Sequence, residues 1–78
     1  MTAFEDVWSG SALKALAELS AHAQDQVEAL VRGVCVDPVG SPLEGLGRTR
    51  VARSGVVRVL FQVDVVGELV YVVRVEVV

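Results

Sequence analysis

The hydrophobic period of this chain changes once, near Gly47, and that change limits the fold more than any other feature. From Ser11 to about Val34 the apolar residues recur at three and four: Leu13, Leu16, Ala17, Leu19, Ala23, Val27, Leu30, Val31 and Val34. That is the spacing of one buried helix face. Ser9 or Ser11 can cap its start through a side-chain oxygen. Ser20 interrupts the pattern and is a better cap than interior helix residue. The segment therefore reads as two helices, about 11–19 and 21–35, forming a hairpin, with one longer helix as the alternative. Asp37-Pro38-Val39-Gly40-Ser41-Pro42 ends helical structure. Beyond Gly47 the period is two: Val57, Val59, Phe61 and Val63 alternate with Arg58, Leu60, Gln62 and Asp64. Leu69, Tyr71, Val73 and Val75 alternate with Val70, Val72, Arg74 and Glu76. Gly55 and Gly67 punctuate strands near 48–53, 56–64 and 69–77, and Ala3–Trp8 can add an edge strand. The expected fold class is α+β: a small antiparallel sheet with an N-terminal helical hairpin packed on one face, in the order β-α-α-β-β-β.

Seventy-eight residues suffice for one domain, residues 1–78, with a core of marginal size. One cysteine (Cys35) and one histidine (His22) exclude an intrachain disulfide, a cysteine metal knuckle and a histidine-rich metal site. No cofactor and no metal is expected. No apolar run reaches the roughly 18 residues of a membrane span, and no signal peptide is recognisable. A soluble cytoplasmic protein, with no membrane partner, is expected. Hydrophobic residues make up 53% of the chain but aromatics only 5%, and thirteen of nineteen valines lie between Val51 and Val78. Many strand positions are apolar on both faces, so a protein partner or self-association is expected to cover part of the sheet.

Charge is divided unevenly. Residues 1–47 carry two basic and seven acidic side chains; residues 48–78 carry five arginines against three acids. Any surface for an anion lies in the second half. Arg48, Arg50, Arg53, Arg58 and Arg74 are fixed cations whose planar forks suit phosphate. Arg48 and Arg50, two apart, project from one face of a strand. A three-residue loop, Val65 to Gly67, places Arg58 opposite Arg74; a two- or four-residue loop puts them on opposite faces. The alternative is a solvated face with pairs such as Arg74–Glu76 or Arg58–Asp64. His22 reads as a surface residue, Cys35 as a small buried hydrophobe, and Phe4, Trp8 and Tyr71 as packing residues. Glu44-Gly45-Leu46-Gly47 has neither a GxGxxG nor a P-loop pattern.

Three pieces in order suggest a family. Ser9-Gly10-Ser11-Ala12-Leu13-Lys14-Ala15-Leu16 opens the helical hairpin, Pro42-Leu43-Glu44-Gly45-Leu46 follows it, and Arg48 to Val63 runs GRTRVARSGVVRVLFQV from Gly47. This order resembles the RelE/ParE superfamily of bacterial toxins, most nearly its RelE branch. Members commonly show a SALKAL-like helix start, a PLxG segment, a strand ending in basic residues, a YRVLYQV strand and a final valine-rich strand. The resemblance spans about Trp8 to Val75.

It implies the toxin of a type II toxin–antitoxin pair. RelE-type members enter the ribosomal A site and cut the mRNA there, without a metal, by attack of a ribose 2′-hydroxyl on the adjacent phosphate. The implied partners are a cognate antitoxin, the ribosome and its mRNA. Arg58 matches the arginine of the YRVLY motif and is the implied transition-state stabiliser. Arg50, with Arg48 as the alternative, is the implied second catalytic cation, and Arg48, Arg53 and Arg74 are implied RNA contacts. The chain departs from the pattern in three ways. Val57 stands where an aromatic is common. Overall charge is −3 where members are basic. Arg74-Val75-Glu76-Val77-Val78 stands where a VGHRREVY-like tail supplies a further arginine and a tyrosine or histidine. ParE-type members, which inhibit DNA gyrase without a nuclease site, tolerate these departures better and are the alternative.

Overall fold

Serines set both helix starts. In a computed structural model that describes residues 3–38, 44–46 and 49–77, the Ser9 and Ser20 hydroxyls accept from the amides of Ala12 (3.1 Å) and Ala23 (3.2 Å). Each satisfies a first-turn donor that a helix leaves unpaired. They open α1 (Gly10–Ala17) and α2 (Ala21–Val36). Ser20 is extended, at φ −62° and ψ 159°, so the helical stretch is a hairpin and not one rod. Gln24 fastens it: its side-chain amide donates to the carbonyls of Leu16 (3.0 Å) and Leu19 (3.2 Å) at the end of α1, the first of which also accepts from the Leu19 amide at 3.1 Å. Of the chain-breaking segment, Asp37 closes α2 by donating to the Gly33 carbonyl; residues 39–43 lie outside the described residues.

Among the described residues five strands form one sheet. They are β1 (Glu5–Trp8), β2 (Glu44–Leu46), β3 (Thr49–Ser54), β4 (Val57–Asp64) and β5 (Leu69–Val77), in spatial order β1-β5-β4-β3-β2. The α+β class, the hairpin and the N-terminal edge strand agree with the sequence reading. Two features differ from it. The sheet is mixed, because β1 pairs parallel with β5 while β2 to β5 form an antiparallel meander. A parallel pair needs a long crossover, and here everything between β1 and β5 serves as one. The second difference is β2, whose three residues are too few to display an alternation.

One face of the sheet packs on the helices. Ala52, Val57, Val59, Phe61, Val70, Val72 and Val75 are buried against Ala12, Val27, Val31, Val34 and Cys35. Phe61 is the largest fully buried side chain. The odd-numbered residues of β4 therefore point inward, and each buried valine contributes roughly 1.5–3 kcal/mol of apolar transfer. On β5 the buried positions step from Val70 to Val72 and then to Val75, a spacing of three. The register accounts for this: Phe61 pairs with Val72, but Leu60 pairs with Arg74. Val73 is the extra residue of a bulge, and beyond it the two faces of β5 exchange.

Candidate functional site

That bulge assembles a charged cluster on the open face of the sheet. The β4–β5 connection has four residues, since Asp64 pairs with Leu69, and simple alternation from such a loop puts Arg58 and Arg74 on opposite faces. The extra residue at Val73 reverses the parity. Arg58 then pairs with Glu76 and Leu60 with Arg74, so Arg58, Arg74 and Glu76 share one face. Arg53 joins them: the tight turn at Gly55-Val56, with Gly55 at φ +58°, pairs Arg53 directly with Arg58. Three arginines from three consecutive strands thus share one face with Glu76.

The contacts are specific. Nε and Nη2 of Arg58 donate to one oxygen of Glu76 at 2.9 and 2.7 Å. Nε of Arg74 lies 3.3 Å from the other oxygen. The Arg58 and Glu76 side chains are 35% and 23% exposed, and that of Arg74 is 67% exposed. Arg58 and Arg74 share that single carboxylate, which leaves this part of the face positive and open to an anionic ligand. Half-exposed apolar side chains, Val51 and Leu60, flank it, and Tyr71 on the same face is 45% exposed.

The candidates read from the sequence do not all come together. Arg53, Arg58 and Arg74 come together. Arg50 does not: it pairs with Phe61 and so projects from the helix-side face, with the sheet between it and Arg58. Its distance of three from Arg53 along a strand makes that unavoidable. The register thus sets Arg53, and not Arg50, beside Arg58 on one face of the sheet. Arg48 lies outside the described residues. Of the alternative ion pairs, Arg74–Glu76 forms. Arg58 takes Glu76 and not Asp64, whose Oδ1 accepts from the Gly67 amide at 3.0 Å instead. Glu76 is the site residue that the resemblance passed over as a mismatch; its signal in the sequence is a lone acid two residues from Arg74 on a strand.

His22 is exposed on the first turn of α2, in the layer behind the sheet, and cannot reach the cluster. Cys35 is buried. Burial first, and the Asp6 carboxylate second, push its thiol above the ordinary value of 9.0, which suits packing and not nucleophilic attack. Among the described residues no group of three His, Cys, Asp or Glu side chains could hold a metal ion, and no helix is long and apolar enough to cross a membrane. The helix side carries a separate feature: a cleft of about 550 Å³ between β1 and the two helices, lined by Phe4, Trp8, Leu13, Leu16, Val31 and Val36.

A two-helix hairpin laid over one face of a mixed five-stranded sheet, its other face bearing arginines, defines a small α+β class of protein. Within that class the chain has the RelE toxin fold. A chain of the RelBE2 toxin–antitoxin complex of Mycobacterium tuberculosis superposes with a TM-score of 0.87 at 22% identity, over 100% of this chain and 94% of that one. The isolated RelE toxin of Escherichia coli matches with a TM-score of 0.84 at 19% identity, covering 96% and 84%. A chain of the archaeal RelE–RelB complex of Pyrococcus horikoshii matches with 0.78 at 21%, covering 99% and 96%. No family model and no curated protein sequence matches the chain. The fold implied by the sequence resemblance is the fold observed.

Proposed function

We propose that residues 1–78 form a single toxin domain of a type II toxin–antitoxin system and that it acts as a RelE-like, ribosome-dependent mRNA endonuclease in the cytoplasm. The observation that carries this reading is the convergence of Arg53, Arg58 and Arg74 on one open face. Cleavage by 2′-hydroxyl attack passes through a phosphorane with extra negative charge, and fixed guanidiniums beside it lower that barrier. Arg58, central and half-buried, is the transition-state cation. Arg53 takes the place that the resemblance gave to Arg50, and Arg74, the most exposed of the two arginines held by Glu76, meets the RNA backbone. Arg50, across the sheet, stays outside the chemistry. Ribosome and mRNA are the target in this reading, with no cofactor.

The partner is a cognate antitoxin. Two of the similar structures are toxin–antitoxin complexes, and this chain offers an apolar cleft between β1 and the helices and the outer edge of β1. A helix in the former or an added strand on the latter are the standard modes for such surfaces. The second reading, a ParE-like inhibitor of DNA gyrase or a protein that only binds an antitoxin, is favoured by one observation: Glu76 already neutralises part of the arginine charge.

The test is induced expression in bacteria with mapping of mRNA 5′ ends, beside Arg58→Ala. New ends inside translated frames, reduced roughly 100-fold or more in the variant, support the endonuclease. Growth arrest with intact mRNA supports the gyrase reading and overturns the first. Because Arg58 is partly exposed and outside the core, the variant keeps the fold, which circular dichroism checks.

A further inference from the structure

Attack by a 2′-hydroxyl needs an acceptor for its proton as well as cations for the phosphate. Arginine cannot be that acceptor, since it stays protonated at any working pH. His22 is behind the sheet. Asp64 sits at the far end of β4, committed to the Gly67 amide at 3.0 Å. Glu76 alone among these groups stands inside the cluster, one oxygen on Arg58 at 2.7 Å and the other near Arg74 at 3.3 Å. From this geometry we propose that Glu76 is the general base of the reaction, an inference that rests on the endonuclease reading above.

The arrangement supplies each part of the step. Glu76 engages Nε and Nη2 of Arg58 and Nε of Arg74, while each guanidinium carries five donors. Nη1 of Arg58 and both Nη groups of Arg74 remain for a phosphate, which then lies beside the carboxylate. The 2′-hydroxyl of the preceding ribose comes within hydrogen-bond reach of Glu76. Its proton passes to the carboxylate as the O2′–P bond forms. The P–O5′ bond breaks, its electron pair stays on O5′, and water protonates that oxygen. The products are a 2′,3′-cyclic phosphate and a 5′-hydroxyl, and Glu76 returns its proton to solvent.

The experiment uses ribosomes programmed with an mRNA in the A site, and measures single-turnover cleavage and binding for the wild type, Glu76→Gln and Arg74→Ala across pH 4 to 9. Expected are a wild-type rate that rises tenfold per pH unit on its acid limb, a 10²–10⁴-fold loss in Glu76→Gln with that limb removed, and binding within threefold of the wild type. Arg74→Ala is expected to cut more slowly but to keep the acid limb, since it retains the base. Cleavage by Glu76→Gln within fivefold of the wild type overturns the assignment. So does a slow variant whose acid limb persists, or one whose loss tracks weakened binding, because those mark a clamp for the arginines and not a base. If wild-type protein confirmed as folded leaves the mRNA intact, the endonuclease reading itself fails, and the role of Glu76 falls with it.

Discussion

Replacing Ser9 by alanine tests how the cluster is built, because one hydroxyl there ties the start of α1 to the bulge of β5. Ser9 Oγ accepts from the Ala12 amide at 3.1 Å, capping α1, and donates to the Val73 carbonyl at 2.8 Å, on the bulge residue of β5. Loss of a serine cap costs about 1 kcal/mol. Leaving the partly buried Val73 carbonyl without its donor costs about 1 kcal/mol more. The sum of about 2 kcal/mol lowers the thermal midpoint of a domain this size by roughly 8–16 °C. Ser9→Thr keeps both bonds and should stay within about 0.5 kcal/mol of the wild type. Ser9→Asp keeps the cap but has no proton for Val73, so it should fall about halfway. Urea titrations followed by circular dichroism give the three free energies directly. A Ser9→Ala midpoint within about 2 °C of the wild type would refute the reasoning. So would Ser9→Asp equal to the wild type, since the bulge bond would then contribute nothing.

Two further outcomes follow from other parts of the structure. Gly55 holds φ +58°, and a Cβ there meets the Gln26 amide nitrogen at 3.0 Å; Gly55→Ala should cost about 1–2 kcal/mol, read as a lower urea midpoint with unchanged slope. The raised pKa of Cys35 means that the fold holds the thiol proton more tightly than the unfolded chain does. Its contribution to stability is therefore complete below the ordinary thiol value of 9.0 and is lost as pH rises above it. Urea midpoints from pH 7 to 10.5 should decline at the alkaline end, and Cys35→Ala should remove part of that decline; identical profiles would contradict the burial argument.

Most of the architecture was legible because period and punctuation agree in this chain. Leu13 to Val34 repeats at helical spacing, Ser9 and Ser20 carry cap chemistry, and Val57 to Val63 alternates without a fault. The edge strand expected within Ala3–Trp8 forms at Glu5–Trp8, but its parallel partner was not legible, since local pattern contains no direction. The site was legible only in part. Arg58 and Arg74 were recognisable as candidates, but which face each occupies turns on a single extra residue, Val73, in a run of valines that hides it. Arg50 is different. The turn at Gly55-Val56 already pairs Arg53 with Arg58, and counting back three residues sends Arg50 to the other side. Family likeness pointed the other way because it aligned basic residues and not their faces. Glu76 was legible as a partner for Arg74, but its second arginine, Arg58, became visible only with the register.

The parallel pairing of β1 with β5 also orders events in time. Ser9 and Val73, joined by a hydrogen bond, are 64 residues apart, and β1 lies at the sheet edge with β5 as its neighbour. During synthesis the first strand and helix emerge long before their partner exists, so Phe4, Trp8 and the apolar side of α1 wait in water. Contacts of such long sequence separation close late and slow folding. The strand that completes the sheet also carries Arg74 and Glu76. A nascent chain therefore has neither a finished core nor a finished charged cluster until β5 has cleared the ribosome that made it.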